Sequence, residues 1–136
     1  MEKYPNPCYC TNARHCANNL TDLYNEALKA IGLTVPQYYL LAYLALLGKA
    51  NITAWAECVG LDRSTMVRNI RHLVDAELVE RTDGSGKTYR LSSKGEAIMG
   101  DARQCWKEAQ HKVRDFLGEE DAKAFLRISK KLQGMA

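Results

Sequence analysis

The chain has 136 residues, 46% hydrophobic and 26% charged, with a formal net charge of +3. This ordinary globular balance excludes a disordered or collagen-like chain, and the length suits a single domain of about 100–200 residues with its own core. The longest strongly apolar run, Leu40 to Leu47, is shorter than the roughly 20 residues that span a bilayer. Met1-Glu2-Lys3-Tyr4-Pro5 has no basic region followed by an apolar stretch, so a cytoplasmic protein without membrane contact is expected.

Pro5 and Pro7 mark an extended leader. Ala13, Cys16, Ala17, Leu20, Leu23, Tyr24, Ala27, Leu28 and Ile31 then recur at steps of three and four, the stripe of a long helix that Gly32 ends. Thr34-Val35-Pro36-Gln37 has the form of a capping box with proline in the first turn. The helix it opens is apolar nearly all round from Tyr38 to Leu47, which predicts a central position, and Gly48 closes it.

A short helix is predicted over Thr53–Cys58, capped by Thr53, with Gly60 at a turn and Leu61 packing inward. Asp62 caps the next helix, about Arg63–Ala76, whose apolar positions are Met66, Val67, Ile70, Leu73 and Val74. At about 100° per residue these cluster around Ile70. Ser64, Thr65, Arg68 and His72 take the opposite arc, flanked by Asn69 and Arg71.

Leu78–Thr82 and Lys87–Leu91 read as strands joined by the turn formers Asp83-Gly84-Ser85-Gly86. Ser92 or Ser93 then caps a long helix, Ser93 with Glu96 fitting a capping box. Ile98, Ala102, Cys105, Trp106, Ala109, Val113 and Phe116 form its stripe, and Gly118 breaks it. Glu119, Glu120 and Asp121 favour the N-terminus of a last helix with Ala122, Phe125, Ile128 and Leu132 on its apolar face.

The fold class is therefore mainly α with a small β-hairpin wing: a winged helix-turn-helix core with helices added at both ends. A short helix and tight turn hold the following helix away from the body, so that its polar face can enter a DNA major groove. The candidate DNA contacts are Arg63, Ser64, Thr65, Arg68, Asn69 and His72 on the reading helix. Arg68 suits guanine, and Asn69 suits adenine. Lys87 and Arg90 on the hairpin suit phosphates or a minor groove. Residues 61–90 hold six Lys or Arg against five Asp or Glu, so charge alone does not establish DNA binding. The order of elements is the stronger sign.

Gly60-Leu61-Asp62-Arg63-Ser64-Thr65-Met66-Val67-Arg68-Asn69-Ile70, Leu78-Val79-Glu80-Arg81 and Leu91-Ser92-Ser93-Lys94-Gly95 resemble the core of MarR-type repressors. Gly32-Leu33-Thr34 with Gln37-Tyr38 resembles the opening of that family's second helix. The resemblance covers about residues 8 to 135. It implies one MarR-like domain over 1–136, with dimerisation helices at 8–31 and 93–135 and a DNA-binding lobe at 34–91. It also implies a homodimer on a pseudo-palindromic, double-stranded DNA operator. The family often carries an Asp-Arg-Arg run at the wing tip. Asp83 matches, whereas Gly84 and Ser85 replace the arginines and leave Lys87 as the nearest cation.

The terminal stripes exceed what so small a core can cover, which independently points to a two-fold pair. The five cysteines are an odd number, so a disulfide framework is not expected. Cys16 and Cys58 read as small buried hydrophobes. Cys10 sits near a helix N-terminus with Arg14 one turn on, a setting that favours a thiolate and oxidation by peroxide. Its spacing to Pro36-Gln37-Tyr38 resembles that of the reactive cysteine in organic-hydroperoxide-sensing members. Tyr24 matches one tyrosine that bonds that cysteine, and Arg14 replaces the other. Cys8, Cys16 or the partner's Cys105 would resolve the oxidised thiol. The alternatives are a soft-metal site at Cys8, Cys10, Cys16 and His15, whose spacing is not a standard zinc pattern, and a small aromatic effector near Tyr24, Tyr38, Tyr39 and Tyr43. No metal or cofactor is expected.

Phosphate-loop, nucleophile-elbow and His-Glu-x-x-His motifs are absent, so no enzyme is expected. The reading that results is a DNA-binding transcriptional regulator, a repressor released by a thiol-oxidising signal or a small ligand. The alternative is a winged helix that binds protein and not DNA.

Overall fold

The computed structural model describes residues 7–82 and 87–135. Helix α1 (Tyr9–Leu28) runs into a 3-10 turn, Lys29–Ile31, that ends at Gly32 in the left-handed region. Helix α2 (Val35–Leu47) opens with the complete capping box of Thr34 and Gln37. Strand β1 (Ala50–Asn51), α3 (Ile52–Val59), α4 (Arg63–Asp75), β2 (Val79–Arg81) and β3 (Thr88–Leu91) follow. Helices α5 (Ser93–Leu117) and α6 (Glu119–Gln133) complete the chain, separated by Gly118.

The sheet is antiparallel in the order β1-β3-β2, with Glu80 opposite Arg90 and Ala50 opposite Tyr89. Strand β1 is not visible in the sequence, because two residues are too few for a period-2 pattern. Its pairing fixes the α3 cap as well. Asn51, leaving the strand extended, accepts from the Ala54 amide, so Asn51 is the N-cap and Thr53 lies inside α3. At α5 the cap is Ser92, which accepts from Gly95 N, and the Ser93–Glu96 box does not form. Ser92 is held there because its hydroxyl also donates to the Glu77 carbonyl.

The core gathers Leu40, Leu41 and Leu44 of α2, Trp55 of α3, Met66, Ile70 and Leu73 of α4, and Met99 and Ala102 of α5. Trp55 is fully buried and donates its indole N–H to the Leu40 carbonyl, so α3 is bonded as well as packed to α2. Helix α2 is central along one side only. Tyr39, Tyr43 and Leu46, spaced at helical steps, stay exposed on the other, Leu46 at 80%. Val67, expected in the α4 seam, is an exposed residue at its edge. Among the described residues no single helix is long and apolar enough to cross a membrane.

Candidate nucleic-acid interface

Helix α3, the turn at Gly60 and α4 form the helix-turn-helix. Gly60 takes φ 74°, which favours glycine, and its amide bonds back to the Ala56 carbonyl and ends α3 cleanly. Asp62 then starts α4 by accepting from the Thr65 amide at 2.8 Å. The same carboxylate accepts from the Ser64 hydroxyl at 2.7 Å and the Thr65 hydroxyl at 2.9 Å. These donors hold the Asp62 carboxyl down at about 2, well below the usual range for aspartate. Helix α4 buries Met66, Ile70 and Leu73 and turns Arg63, Ser64, Arg68, Arg71 and His72 to the surface.

The residues marked in the sequence thus fall into two groups. Arg63, Arg68 and His72 project outward from α4. Ser64 and Thr65 spend their hydroxyl protons on the Asp62 cap, and the Asn69 amide donates to the Thr65 carbonyl, so these three brace the helix start. On the wing, Arg90 pairs with Glu80 at 2.9 Å across β2 and β3, in an exposed ion pair of a kind worth about 0–1 kcal/mol. Lys87 is exposed just before β3, and the tip Asp83-Gly84-Ser85-Gly86 lies outside the described residues. Two further cations, Arg71 and Arg81, have no role that the sequence reveals. They line a cleft of about 410 Å³ between α4 and the wing. Only the fold brings them together.

The candidate sensing residues are spread along α1. Cys10 is exposed, and Cys8 is half-buried at the helix start. Hydrogen bonds from the Thr11 side chain and from the Thr11 and Cys10 backbone hold the Cys8 thiol below its ordinary value. Cys16 and Cys58 are exposed rather than buried. Cys16 does lie on an apolar face, beside a cavity of about 260 Å³ with Leu20, Val113, Phe116, Leu117 and Phe125, but its own chain leaves that face partly uncovered. Cys105 packs at the core's edge. Tyr24 donates its hydroxyl to Gln110 of α5 and stands fourteen positions, or about 21 Å of helix, from Cys10. Contact between those two therefore requires two chains. Burial raises Tyr24, Tyr38 and Tyr39 above the ordinary tyrosine range, and Tyr39 lies near both Tyr24 and Tyr43. Among the described residues, no group of three or more His, Cys, Asp or Glu is placed to hold a metal ion.

A capped, outward-facing α4 behind a tight turn, flanked by a hairpin, defines a winged helix-turn-helix protein. Residues 31–87 match the family model described as MarR family. It is similar to BpsR of Bordetella bronchiseptica, whose DNA binding is regulated by 6-hydroxynicotinic acid (TM-score 0.89, 13% identity, 99% of this chain and 100% of that one). It is similar to the transcriptional regulator MosR of M. tuberculosis (TM-score 0.81, 25% identity, 96% and 98%). It is also similar to a mutant MarR of E. coli complexed with operator DNA (TM-score 0.82, 19% identity, 97% and 99%). No curated protein sequence matches it. MarR-family homologues are DNA-binding transcriptional regulators.

Proposed function

We propose that this protein is a sequence-specific transcriptional repressor that binds a pseudo-palindromic operator as a homodimer and is not an enzyme. The observation that carries the reading is the unobstructed hydrophilic face of α4, where Arg63, Arg68 and His72 are all exposed. In this reading residues 34–91 form the DNA-binding lobe, with Arg68 contacting a base and Lys87 and Arg90 contacting phosphates. Arg90 must then leave or share Glu80, a small cost for an exposed pair. Residues 8–31 and 93–135 dimerise. Phe116 at 90% exposure and Leu126 at 67% support this, since terminal helices rarely leave such faces to water. A two-fold pair would set the two reading helices about 34–36 Å apart, one turn of DNA.

Selection of a bound duplex from a randomised pool, followed by gel shifts, tests the reading. Arg68→Ala should lower affinity for the selected site and relax its base preference. Failure of the wild type to bind any duplex would overturn it in favour of a protein-binding winged helix.

The proposed release signal is oxidation at Cys10. The thiolate attacks a hydroperoxide, the O–O bond breaks, an alcohol leaves and Cys10 becomes a sulfenic acid. A second thiol then displaces water to form a disulfide. In an intact α1, Cys16 is about 9 Å further along the axis, beyond disulfide reach. Cys8 or the partner's Cys105 is therefore the better resolving thiol. Unchanged peroxide release by Cys10→Ser would remove this signal and leave a small aromatic ligand beside Tyr24, Tyr38, Tyr39 and Tyr43.

A further inference from the structure

The cleft between α4 and the wing has an apolar floor of Ile52, Ile70, Val74 and Tyr89. Arg71 lines it from α4 and Arg81 from β2, with Asp75 as the one carboxylate among its lining residues. Arg81 and Tyr89 are cross-strand partners, and the Arg81 guanidinium lies 5.8 Å from the centre of the Tyr89 ring. Tyr89 is itself 5% exposed and packs against the fully buried Trp55, their ring centres 6.0 Å apart. Arg81 thus rests on a platform anchored in the core, which reduces the rotamer freedom it must lose on binding. Arg71, one turn beyond Arg68 and exposed like it, lies at the edge of the α4 surface that lines this cleft. Among the described residues neither guanidinium makes an ion pair.

A helix in a major groove and a hairpin over the neighbouring minor groove have one phosphodiester strand between them, because that strand is the wall dividing the grooves. We infer that Arg71 and Arg81 form a clamp on this strand, one guanidinium from each side. The inference rests on the DNA-reading role of α4 and adds to it a phosphate site distinct from the base-facing residues. Arginine suits the task because its planar fork can hold two phosphate oxygens. Such contacts set register and salt-dependent affinity without reading sequence. Asp75 opposes the clamp and limits its strength.

The test is fluorescence anisotropy of the full-length protein with a random-sequence B-form duplex and with a duplex selected from the randomised pool, over about 50 to 200 mM salt. In the homodimer each single variant removes one arginine–phosphate pairing per protomer and lowers the log–log salt slope by about 1.8, so the fall in affinity across that range shrinks about 12-fold for Arg71→Ala or Arg81→Ala and about 150-fold for the double variant. Preference for the selected duplex should stay as in the wild type. Arg71→Lys and Arg81→Lys should recover most of the slope, and Asp75→Asn should tighten binding to both duplexes. Thermal melts check that the wing is intact in Arg81→Ala, and Arg71→Ala, which disturbs no ring contact, gives an independent reading. Wild-type slopes in both alanine variants would overturn the clamp while leaving the reading helix in place. Altered base preference would also overturn it, by making these residues base readers. A wild type without salt-dependent binding would instead defeat the DNA-reading role itself.

Discussion

Among the described glycines, Gly95, at the junction between α5 and the exit from α4, has the closest backbone neighbour. A Cβ at Gly95 would lie 2.0 Å from the Leu78 carbonyl oxygen and 3.0 Å from its carbon. Both partners are backbone, so no rotamer change relieves the clash, and the two segments must separate by more than about 1 Å to reach ordinary contact. The same Leu78 oxygen accepts from Ser92 N at 3.0 Å, and Lys94 Nζ donates to the Ala76 carbonyl at 3.0 Å, so separation strains the fastening of α5 to the reading helix. Overpacking costs about 1–3 kcal/mol, and the loosened hydrogen bond about 1 kcal/mol more. The better helix propensity of alanine returns about 1 kcal/mol. Gly95→Ala should therefore destabilise by about 1–3 kcal/mol. Gly100→Ala is the control. It lies in the same helix with nothing within 4 Å of its Cβ and should stabilise by about 0.5–1 kcal/mol. Urea unfolding of both variants at one fixed protomer concentration measures the difference. Gly95→Ala unfolding at or above the wild-type midpoint would refute the steric argument.

Trp55→Phe should cost about 1–3 kcal/mol in the same assay, since the Leu40 carbonyl loses its indole donor inside the core. The Asp62 carboxyl titrates near 2, below its unfolded value of about 3.9. Its contribution is therefore complete above the unfolded value and is lost as pH falls toward 2; Asp62→Asn should flatten melting temperature against pH across that window, and an unchanged acid slope would contradict the capping role. Ile128 and Leu132, one turn apart on α6, are 50% and 54% exposed. Replacing both with glutamate should convert the proposed dimer to a monomer by light scattering and abolish tight operator binding, whereas a monomeric wild type at micromolar concentration would refute the dimer.

Most of the architecture is legible in the sequence because it is written in short-range chemistry. Glycine at 32, 60 and 118 marks the breaks, the Thr34–Gln37 box and Asp62 mark two helix starts, and three-and-four periodicity marks the buried faces. The features that escape it share one property: each depends on a partner distant in sequence. Strand β1 exists because β3 pairs with it, Asn51 outcompetes Thr53 because that pairing aims it at α3, and Ser92 outcompetes Ser93 because Glu77 lies above its hydroxyl. Cys16 and Cys58 sit beside apolar positions, yet whether such a position is covered depends on the neighbouring elements, and here it is not.

The candidate interface divides in the same way. Periodicity alone places Arg68 and His72 on the outward arc of α4, since that arc is fixed by the helical repeat and the seam of Met66, Ile70 and Leu73. The hydroxyls of Ser64 and Thr65 are an exception, since both donate to the Asp62 carboxylate only two and three residues away, a local competition that periodicity does not read. The meeting of Arg71 with Arg81 was decided by tertiary structure alone. One belongs to a helix and the other to a strand beyond its end, and the pairing of that strand with β3, whose Tyr89 packs against Trp55, sets the two at one cleft.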